Sequence, residues 1–166
     1  MKILVFSDSH GSDRTITRAL ELHGRTSELA LHAGDGAHSF MLLSAEHPAV
    51  NFRAVRGNCD SPRSFFGPEE LFEEELIAVG EHKLLLTHGH RLAVKLSLSM
   101  LIAHARARGA DIVVFGHTHT PLERYIPDDE DGGAVYLFNP GAAKDGRYGI
   151  IEIRDNGVLL QNASLA

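Results

Sequence analysis

The sequence has little of several features that define large classes of protein. It contains a single cysteine, Cys59, which excludes an internal disulfide and a zinc–cysteine cluster. Lysine and arginine number 16 against 22 aspartate and glutamate, for a net charge of −6. Composition therefore offers no basic face that could hold a nucleic-acid backbone. No apolar run approaches the length of a membrane span.

The N-terminus also lacks the features of a secretory signal. Only Ile3 to Phe6 are apolar between Lys2 and the next polar residues, far fewer than the apolar region of a signal peptide needs. We expect a soluble cytoplasmic protein. The chain has no internal repeat, low-complexity segment or linker, and 166 residues that are 43% apolar are typical of one domain with a real core. We therefore expect a single domain over residues 1–166.

Histidine is the residue in excess, with eleven in the chain. Residues 111–115 have the composition of a strand buried on both faces, and they are followed by Gly116, His117, Thr118 and His119. In an extended chain, residues two apart point to the same side. Two imidazoles at the carboxyl end of a buried strand indicate a metal site, although a structural pair of histidines would explain this one motif equally well.

The first half of the chain alternates apolar runs with segments of helical period. Strands are predicted at 3–6, 29–33 and 51–55. The predicted helices run from Ser12 or Asp13 to Gly24 and from 38 to 46. This alternation favours an α/β fold with strands that pair in parallel.

The second half of the chain is richer in hairpins. Gly80-Glu81 separates two apolar runs, and Asn156-Gly157 is a strong turn signal. A helix is predicted at about 93–108, ending at Gly109. The predicted strands lie at 73–79, 82–87, 111–115, 121–126, 134–138, 147–154 and 158–162.

Candidate ligands follow five of the predicted strands. Taken singly, each is explained more simply as a turn former or a capped polar group. Open α/β sheets, however, gather the carboxyl ends of their parallel strands into one crevice, so five such ends predict one shared site. The candidates are Asp8, His10, Asp35, Asn58, His88, His117 and His119.

These ligand types indicate a particular metal chemistry. Imidazoles, carboxylates and an amide suit divalent ions such as manganese, which we favour, or nickel, iron, zinc or magnesium. Seven ligands are about right for two ions, and Asp35 could bridge them at the roughly 3.5–4 Å separation used in phosphate-ester hydrolysis. The ions would attract phosphate to an acidic protein. They would also generate a metal-bridging hydroxide that attacks phosphorus in line.

The order of these motifs resembles the calcineurin-like metallophosphoesterases over nearly the whole chain, from Met1 to about Ile153. The motifs are Asp8-Ser-His10, Gly34-Asp35, Gly57-Asn58-x-Asp60, the Gly/His segment at 88–90 and Gly116-His117-x-His119. The short length and the final hairpins are most similar to the small YfcE-type phosphodiesterases. The resemblance implies an α/β fold built as a four-layer α/β/β/α sandwich with two mixed β-sheets. No cap domain is visible between the motifs.

The resemblance also implies how the ligands are shared between two ions. One ion would be held by Asp8, His10 and His119. The other would be held by Asn58, His88 and His117. Asp35 would bridge the two.

Two positions depart from the family pattern. Many members have histidine where Cys59 stands, and a thiol of pKa ~8.5 is a poor donor and a mediocre acid. We therefore expect weaker catalysis on esters with basic leaving groups and a preference for activated aryl esters. The YfcE-type group also tends to carry cysteine there, so the departure does not imply an inactive protein. His38 replaces the second aspartate of Gly-Asp-x-x-Asp, which removes support for ligand positioning.

Three residues beside the ligands are candidates for catalysis together with Asp35 and Asn58. Cys59 occupies the position of the family histidine. His90 could orient the site or touch phosphate. Asp60 is expected to orient ligands, with simple turn capping as the alternative.

The function we predict is a dinuclear metal-dependent phosphoesterase that acts on a small phosphodiester, with a phosphodiesterase favoured over a phosphomonoesterase. The alternative is a non-catalytic metal-binding scaffold for protein interactions, as the similar retromer subunit is thought to be. Such scaffolds lose metal ligands, whereas all seven are present here. The charge disfavours a metallonuclease without excluding one. A homo-oligomer is left open, because exposed leucine or phenylalanine at 65–72 could form either a dimer contact or part of the core.

Overall fold

A computed structural model describes residues 1–61, 71–130 and 132–165. Within these ranges the chain forms two five-stranded sheets, three α-helices and several short 3-10 turns. The strands are β1 (Lys2–Phe6), β2 (Leu29–His32), β3 (Asn51–Ala54), β4 (Glu74–Val79), β5 (His82–Thr87), β6 (Ile112–Val114), β7 (Leu122–Ile126), β8 (Val135–Asn139), β9 (Arg147–Arg154) and β10 (Gly157–Ser164). The helices are α1 (Arg14–His23), α2 (Ala37–Leu42) and α3 (Ser99–Ala107).

Both sheets combine parallel and antiparallel pairs. The first has the order β10-β9-β1-β2-β3, in which β1, β2 and β3 are parallel, while β9 runs antiparallel to β1 and β10. The second has the order β4-β5-β6-β8-β7, in which β5, β6 and β8 are parallel between two antiparallel edge strands. Parallel neighbours are joined by long crossover connections. Because each sheet contains both parallel and antiparallel pairs, both sheets are mixed, as predicted.

The sheets face each other across an apolar layer, and helices cover their outer faces. Fully buried side chains of both sheets form the central layer, among them Val5, Leu31, Leu84 and Val114. Helices α1 and α2 pack on the outer face of the first sheet, and α3 packs on the second. The resulting order α/β/β/α confirms the four-layer sandwich. Burial of both faces explains why β1 and β2 are almost continuously apolar.

The largest difference from the predicted elements lies before α3. The predicted helix at 93–108 begins only at Ser99, because Ala93 adopts a left-handed conformation with φ of 51°. Val94 is buried and packs in the same core cluster as Leu101. A tertiary contact therefore fixes this segment in a turn that no local periodicity indicates.

Smaller differences affect turns and ends. Gly24 stays helical, with φ of −56°, and leads into a 3-10 turn. The predicted helix at 38–46 divides into α2 and a 3-10 turn at Leu43–Glu46. The Gly80-Glu81 hairpin is confirmed. The last hairpin is present, but Gly157 pairs with Arg154, so that its turn residues are 155 and 156.

Most of the segment proposed for a dimer contact lies outside the described residues, since these omit 62–70. Phe72, just beyond that gap, is 72% exposed. Within the described part of the chain, no helix combines the length and apolar character required to span a bilayer.

Candidate metal centre

The loops that follow β1, β2, β3, β5 and β6 meet at one edge of the sandwich. Backbone hydrogen bonds connect them: Asp8 N–H donates to Gly34 O and His10 N–H donates to Asp35 O, both at 2.9 Å. The Gly116 N–H donates to His88 O at 3.3 Å. The predicted ligands therefore belong to one continuous hydrogen-bonded set of loops.

The first group of ligand atoms comes from Asp8, His10 and His119, whose atoms all lie within 4.8 Å of one another. His119 Nε2 is 3.2 Å from Asp8 Oδ1 and 3.5 Å from His10 Nε2. Asp8 is fully buried, whereas both imidazoles reach the surface. This group joins the ends of β1 and β6 at the mouth of the crevice.

The second group lies deeper and centres on His88, which is fully buried. His88 Nε2 is 3.4 Å from Asp35 Oδ2 and 3.2 Å from Asn58 Oδ1. Its other ring nitrogen, Nδ1, lies 2.7 Å from Ala33 O. Because a carbonyl only accepts, Nδ1 is the donor, and Nε2 is directed towards the site, as in many metal-ligating histidines. The His117 ring centroid is 5.0 Å from that of His88.

One carboxylate oxygen in this crevice lacks a hydrogen-bond donor. Asp8 Oδ2 accepts hydrogen bonds from Ser7 Oγ at 2.6 Å and from His117 N–H at 3.0 Å. Asp8 Oδ1 is buried and receives no hydrogen bond from the described residues. Leaving a buried charged oxygen without a hydrogen bond is costly, and a cation held between Asp8 Oδ1 and His119 Nε2, which lie 3.2 Å apart, would compensate it. The oxygen and nitrogen donors around it therefore fit a divalent ion.

Strained backbone is concentrated in the same loops. Apart from glycines, six described residues have positive φ, and five of them are predicted ligands. Such conformations cost about 1–3 kcal/mol each and persist where the surrounding structure determines them. These five residues are Asp8 (54°), His10 (47°), Asp35 (59°), His117 (65°) and His119 (59°).

Asp60 connects two of the loops. Its carboxylate accepts hydrogen bonds from the backbone N–H groups of Asp35 at 2.7 Å and of Gly36 and Gly57 at 2.8 Å. It therefore both caps its own turn and holds the β2 loop against the β3 loop. Gly57 is required here, because a Cβ would overlap the Asp35 carboxylate. The turn-capping alternative for Asp60 is thus present in its contacts, and its role in orienting ligands stays a prediction.

Comparison with known proteins identifies the family to which the chain belongs. The model of the calcineurin-like phosphoesterase superfamily domain matches residues 1–155. This chain belongs to that superfamily. It is 32% identical over 145 residues to the probable metallophosphoesterase YsnB of Bacillus subtilis, covering 87% of this chain and 76% of YsnB. It is 29% identical to the phosphodiesterase YfcE of Escherichia coli over an alignment of 183 positions, covering 96% and 90%.

Solved structures show the same fold at lower identity. A conserved protein from Streptococcus pneumoniae TIGR4 superposes with a TM-score of 0.75 at 23% identity, covering 98% of this chain and 88% of that one. Vps29 from Entamoeba histolytica, solved as a complex with zinc, superposes with a TM-score of 0.69 at 21% identity, covering 99% of each chain. The family match over residues 1–155, rather than these structures, confirms the resemblance to the calcineurin-like family.

Protonation in the crevice is coupled between its buried groups. Burial alone would raise the pKa of Asp35, but hydrogen bonds from His88 and from Cys59 N–H lower it below its ordinary value. Burial acts to lower the pKa of His88, yet Asp35 raises it. A proton on His88 thus places a positive charge beside the Asp35 carboxylate. A metal cation bound in the crevice would supply that positive charge instead. For His117, burial and the neighbouring His88 lower the pKa to about 4, so its imidazole is neutral at pH 7.

The residues that depart from or extend the family pattern lie at the rim. Cys59 is exposed, with Sγ within 4.8 Å of ligand atoms of His10 and Asp35. Burial and hydrogen bonding to Asp35 raise the pKa of its thiol, so it remains neutral at pH 7. The His90 ring centroid is 5.4 Å from that of His88, and its Nδ1 is buried without a partner among the described residues. His38 Nε2 donates to Ser61 O at 2.8 Å instead of supporting a ligand.

Two supporting residues were not recognised from the sequence. His32 is fully buried, accepts a hydrogen bond from Gly34 N–H at Nδ1 and contacts Ser9 Oγ through Nε2, both at 3.2 Å. Asn139 Nδ2 donates a hydrogen bond to Gly116 O at 2.9 Å. Both residues end a strand next to the crevice, and this position was the signal that could have identified them.

Proposed function

We propose that this protein is a dinuclear metal-dependent phosphodiesterase. The observation that carries the proposal is the buried Asp8 Oδ1, which receives no hydrogen bond from the described residues and lies in a crevice of converging carboxylates and imidazoles. Membership of a phosphoesterase superfamily supports a metal-dependent hydrolase. The similarity to YfcE, a phosphodiesterase by name, favours diesters over monoesters.

We propose the two ligand sets that the family resemblance implies. Asp8, His10 and His119 would hold one ion, and Asn58, His88 and His117 the other. Asp35 would bridge them, since its carboxylate lies within 4.8 Å of a ligand atom of His10 and of His88. Manganese is the ion we favour, with nickel, iron, zinc or magnesium as alternatives. When bound, such ions supply a hydroxide for in-line attack on phosphorus and neutralise the phosphate.

The chain itself supplies positioning and access. The contact between His88 Nδ1 and Ala33 O fixes the ring, and Asp60 holds the loop of Asp35. His90 and Cys59 lie at the rim, where they could contact the phosphate or the leaving group. We propose that the whole chain acts as one cytoplasmic domain without a cap, so that the crevice admits small phosphodiesters.

The test is hydrolysis of bis-p-nitrophenyl phosphate compared with p-nitrophenyl phosphate, with manganese, nickel or zinc added and with chelator. We expect metal-dependent turnover that favours the diester and is lost in Asp35→Asn. The matched control is Asp155→Asn, in the exposed turn of the last hairpin, which removes the same charge far from the crevice. Faster turnover of the monoester would instead indicate a phosphatase.

The alternative is a non-catalytic metal-binding scaffold for protein interactions. The structural similarity to Vps29 is the observation that favours it. Against it stands the complete set of seven candidate ligands in the crevice. Absence of turnover with every metal, combined with stoichiometric metal binding, would support the scaffold and reject the enzyme.

A further inference from the structure

We propose that two arginines beside the metal centre select phosphodiesters that carry a second phosphate group. They form a cluster with one carboxylate, made of Arg56, Glu73 and Arg91, which we call the arginine cluster. The proposal rests on the phosphodiesterase function above and names a feature of the substrate that the reaction itself does not require.

Both arginines contact the same oxygen of one glutamate. Arg91 Nη2 lies 2.7 Å from Glu73 Oε1, and Arg56 Nη2 forms a short ion pair with that same atom. Two cations share one anion, so the cluster has a local charge of +1 on a protein whose net charge is −6. The cluster is therefore an electropositive point on an otherwise acidic protein.

The three side chains start from segments that also form the crevice. Arg56 directly precedes Gly57 and the predicted ligand Asn58, and Arg91 directly follows His90. Glu73 precedes β4, whose first residue pairs with the last residue of β5. Glu73 therefore lies opposite the start of the loop that carries His88.

A cavity adjoins Glu73, Arg91 and the rim residue His90. Its volume is about 210 Å³, and its other lining residues are Glu74, Thr87, Gly89, Leu92 and His104. A water molecule occupies roughly 30 Å³ of liquid, so the cavity and its open side have room for a tetrahedral anion. The His90 ring centroid is 5.4 Å from that of His88, so the cavity that Arg91 lines also reaches the rim of the candidate metal centre.

Arginine is suited to this role because its planar guanidinium binds phosphate through two parallel hydrogen bonds. The Arg91 side chain is 70% exposed, and its ion pair with Glu73 leaves other N–H donors facing solvent. A second phosphate on the substrate would compete with Glu73 for these donors. Removing the charge of Glu73 should therefore strengthen the selection, and removing Arg91 should weaken it.

The experiment uses two substrates with the same scissile bond and the same leaving group. One is the p-nitrophenyl ester of thymidine 5′-monophosphate, and the other carries an additional 3′-phosphate. We expect wild-type protein to have the higher kcat/KM for the ester that carries the additional 3′-phosphate. Arg91→Gln should reduce this preference by about tenfold, the effect of losing one charge-assisted contact, and Glu73→Gln should increase it by about threefold.

The matched control is Arg18→Gln, which removes the same charge from an exposed ion pair with Glu21 on α1 and should leave the preference unchanged. Thermal unfolding of each variant separates a folding defect from a loss of selection. Equal kcat/KM for the two substrates, or equal effects of Arg91→Gln and Arg18→Gln, would overturn the proposal. So would a change of the same sign in Arg91→Gln and Glu73→Gln.

A binding measurement distinguishes failure of this proposal from failure of the proposed function. Calorimetry compares thymidine 3′,5′-bisphosphate with thymidine 5′-monophosphate, on wild-type protein and on Arg91→Gln. If neither substrate is hydrolysed but the bisphosphate binds more tightly in an Arg91-dependent manner, the phosphodiesterase function is rejected and the arginine cluster is supported. If hydrolysis occurs without this binding preference, the cluster is rejected and the phosphodiesterase function stands.

Discussion

Strand β5 has a histidine–aspartate contact at each end, and the two contacts differ in kind. At its start, His82 Nδ1 lies 2.6 Å from Asp111 Oδ2, and both side chains are partly exposed. The other oxygen of Asp111 accepts the Lys83 N–H at 2.9 Å. Just beyond the end of β5, His88 Nε2 lies 3.4 Å from Asp35 Oδ2, and both side chains are buried.

The difference shows that residue type alone does not identify a metal ligand. The pair His82–Asp111 is satisfied within the protein and close to solvent, which is the pattern of a structural ion pair worth little energy. The pair His88–Asp35 lies next to strained backbone and to Asp8 Oδ1, which receives no hydrogen bond from the described residues. Burial and this missing hydrogen bond, in addition to spacing, favour this end of the strand as the proposed metal centre.

We expect the largest effect when His88 is replaced by glutamine, and we compare it with the same replacement of His82. His88→Gln should lower metal-dependent turnover of bis-p-nitrophenyl phosphate by about 100-fold or more, since even a residue that only orients a ligand contributes 10- to 100-fold. His82→Gln should leave turnover unchanged. Bound metal, measured by elemental analysis, should fall only in His88→Gln. Equal losses of turnover and of bound metal in both variants would contradict the functional distinction between the two ends of β5.

Metal removal tests the same distinction through stability. At a free-ion concentration of 100 times the dissociation constant, binding should raise the free energy of unfolding by about 2.7 kcal/mol. Asp8→Asn should remove this increase and should destabilise the metal-free protein by a smaller amount, because the amide oxygen can still accept the hydrogen bonds from Ser7 Oγ and His117 N–H. Asp111→Asn should keep the increase. Urea unfolding with manganese and with chelator measures these values, and a metal effect that survives Asp8→Asn would contradict the assignment.

His32 predicts a pH dependence of stability. Burial lowers its pKa from 6.5 to about 4 in the folded protein, so the folded state disfavours the protonated form. Its contribution to stability is therefore complete above pH 6.5 and decreases as the pH falls towards 4. Linkage gives a loss of about 2 kcal/mol between pH 7.5 and pH 5.

Urea unfolding of metal-free wild-type protein and of His32→Gln at both pH values measures this loss. The variant should be less stable at pH 7.5, because Gly34 N–H loses its acceptor, and it should lose less stability than the wild type on acidification. Parallel losses in the two proteins would assign the pH dependence to other groups.

The smallest expected effect concerns the rim of the metal centre. Cys59→His should raise turnover of an alkyl phosphodiester by about tenfold, because an imidazole is a better proton donor to a basic leaving group than the thiol. An activated aryl diester needs less help and should change less. Cys59→Ser serves as the size-matched control without an acid, and no gain in Cys59→His would refute the role assigned to this position.

The sequence predicted the architecture because its signals are local. Continuous apolar runs marked β1 and β2, and Gly80-Glu81 marked the first hairpin, since strand periodicity and turn chemistry depend on neighbouring residues. The ordered motifs ending each strand identified the family, which the match over residues 1–155 confirmed. The ligand assignments remain predictions, although six of the seven ligands are now placed by direct ligand-atom distances, and the seventh, His117, by its ring contact with His88.

The sequence by itself determined an α/β fold, the order of the candidate ligands and the turn at Gly80-Glu81, and the resemblance carried by its motifs implied the α/β/β/α class. Only the tertiary structure decided that α3 begins at Ser99, that Asp60 joins two loops and that His32 supports the crevice. It also decided that Arg56 and Arg91 meet on Glu73. These features depend on contacts between residues far apart in the chain, and such contacts form only when the two sheets have packed together and brought their loops to one edge.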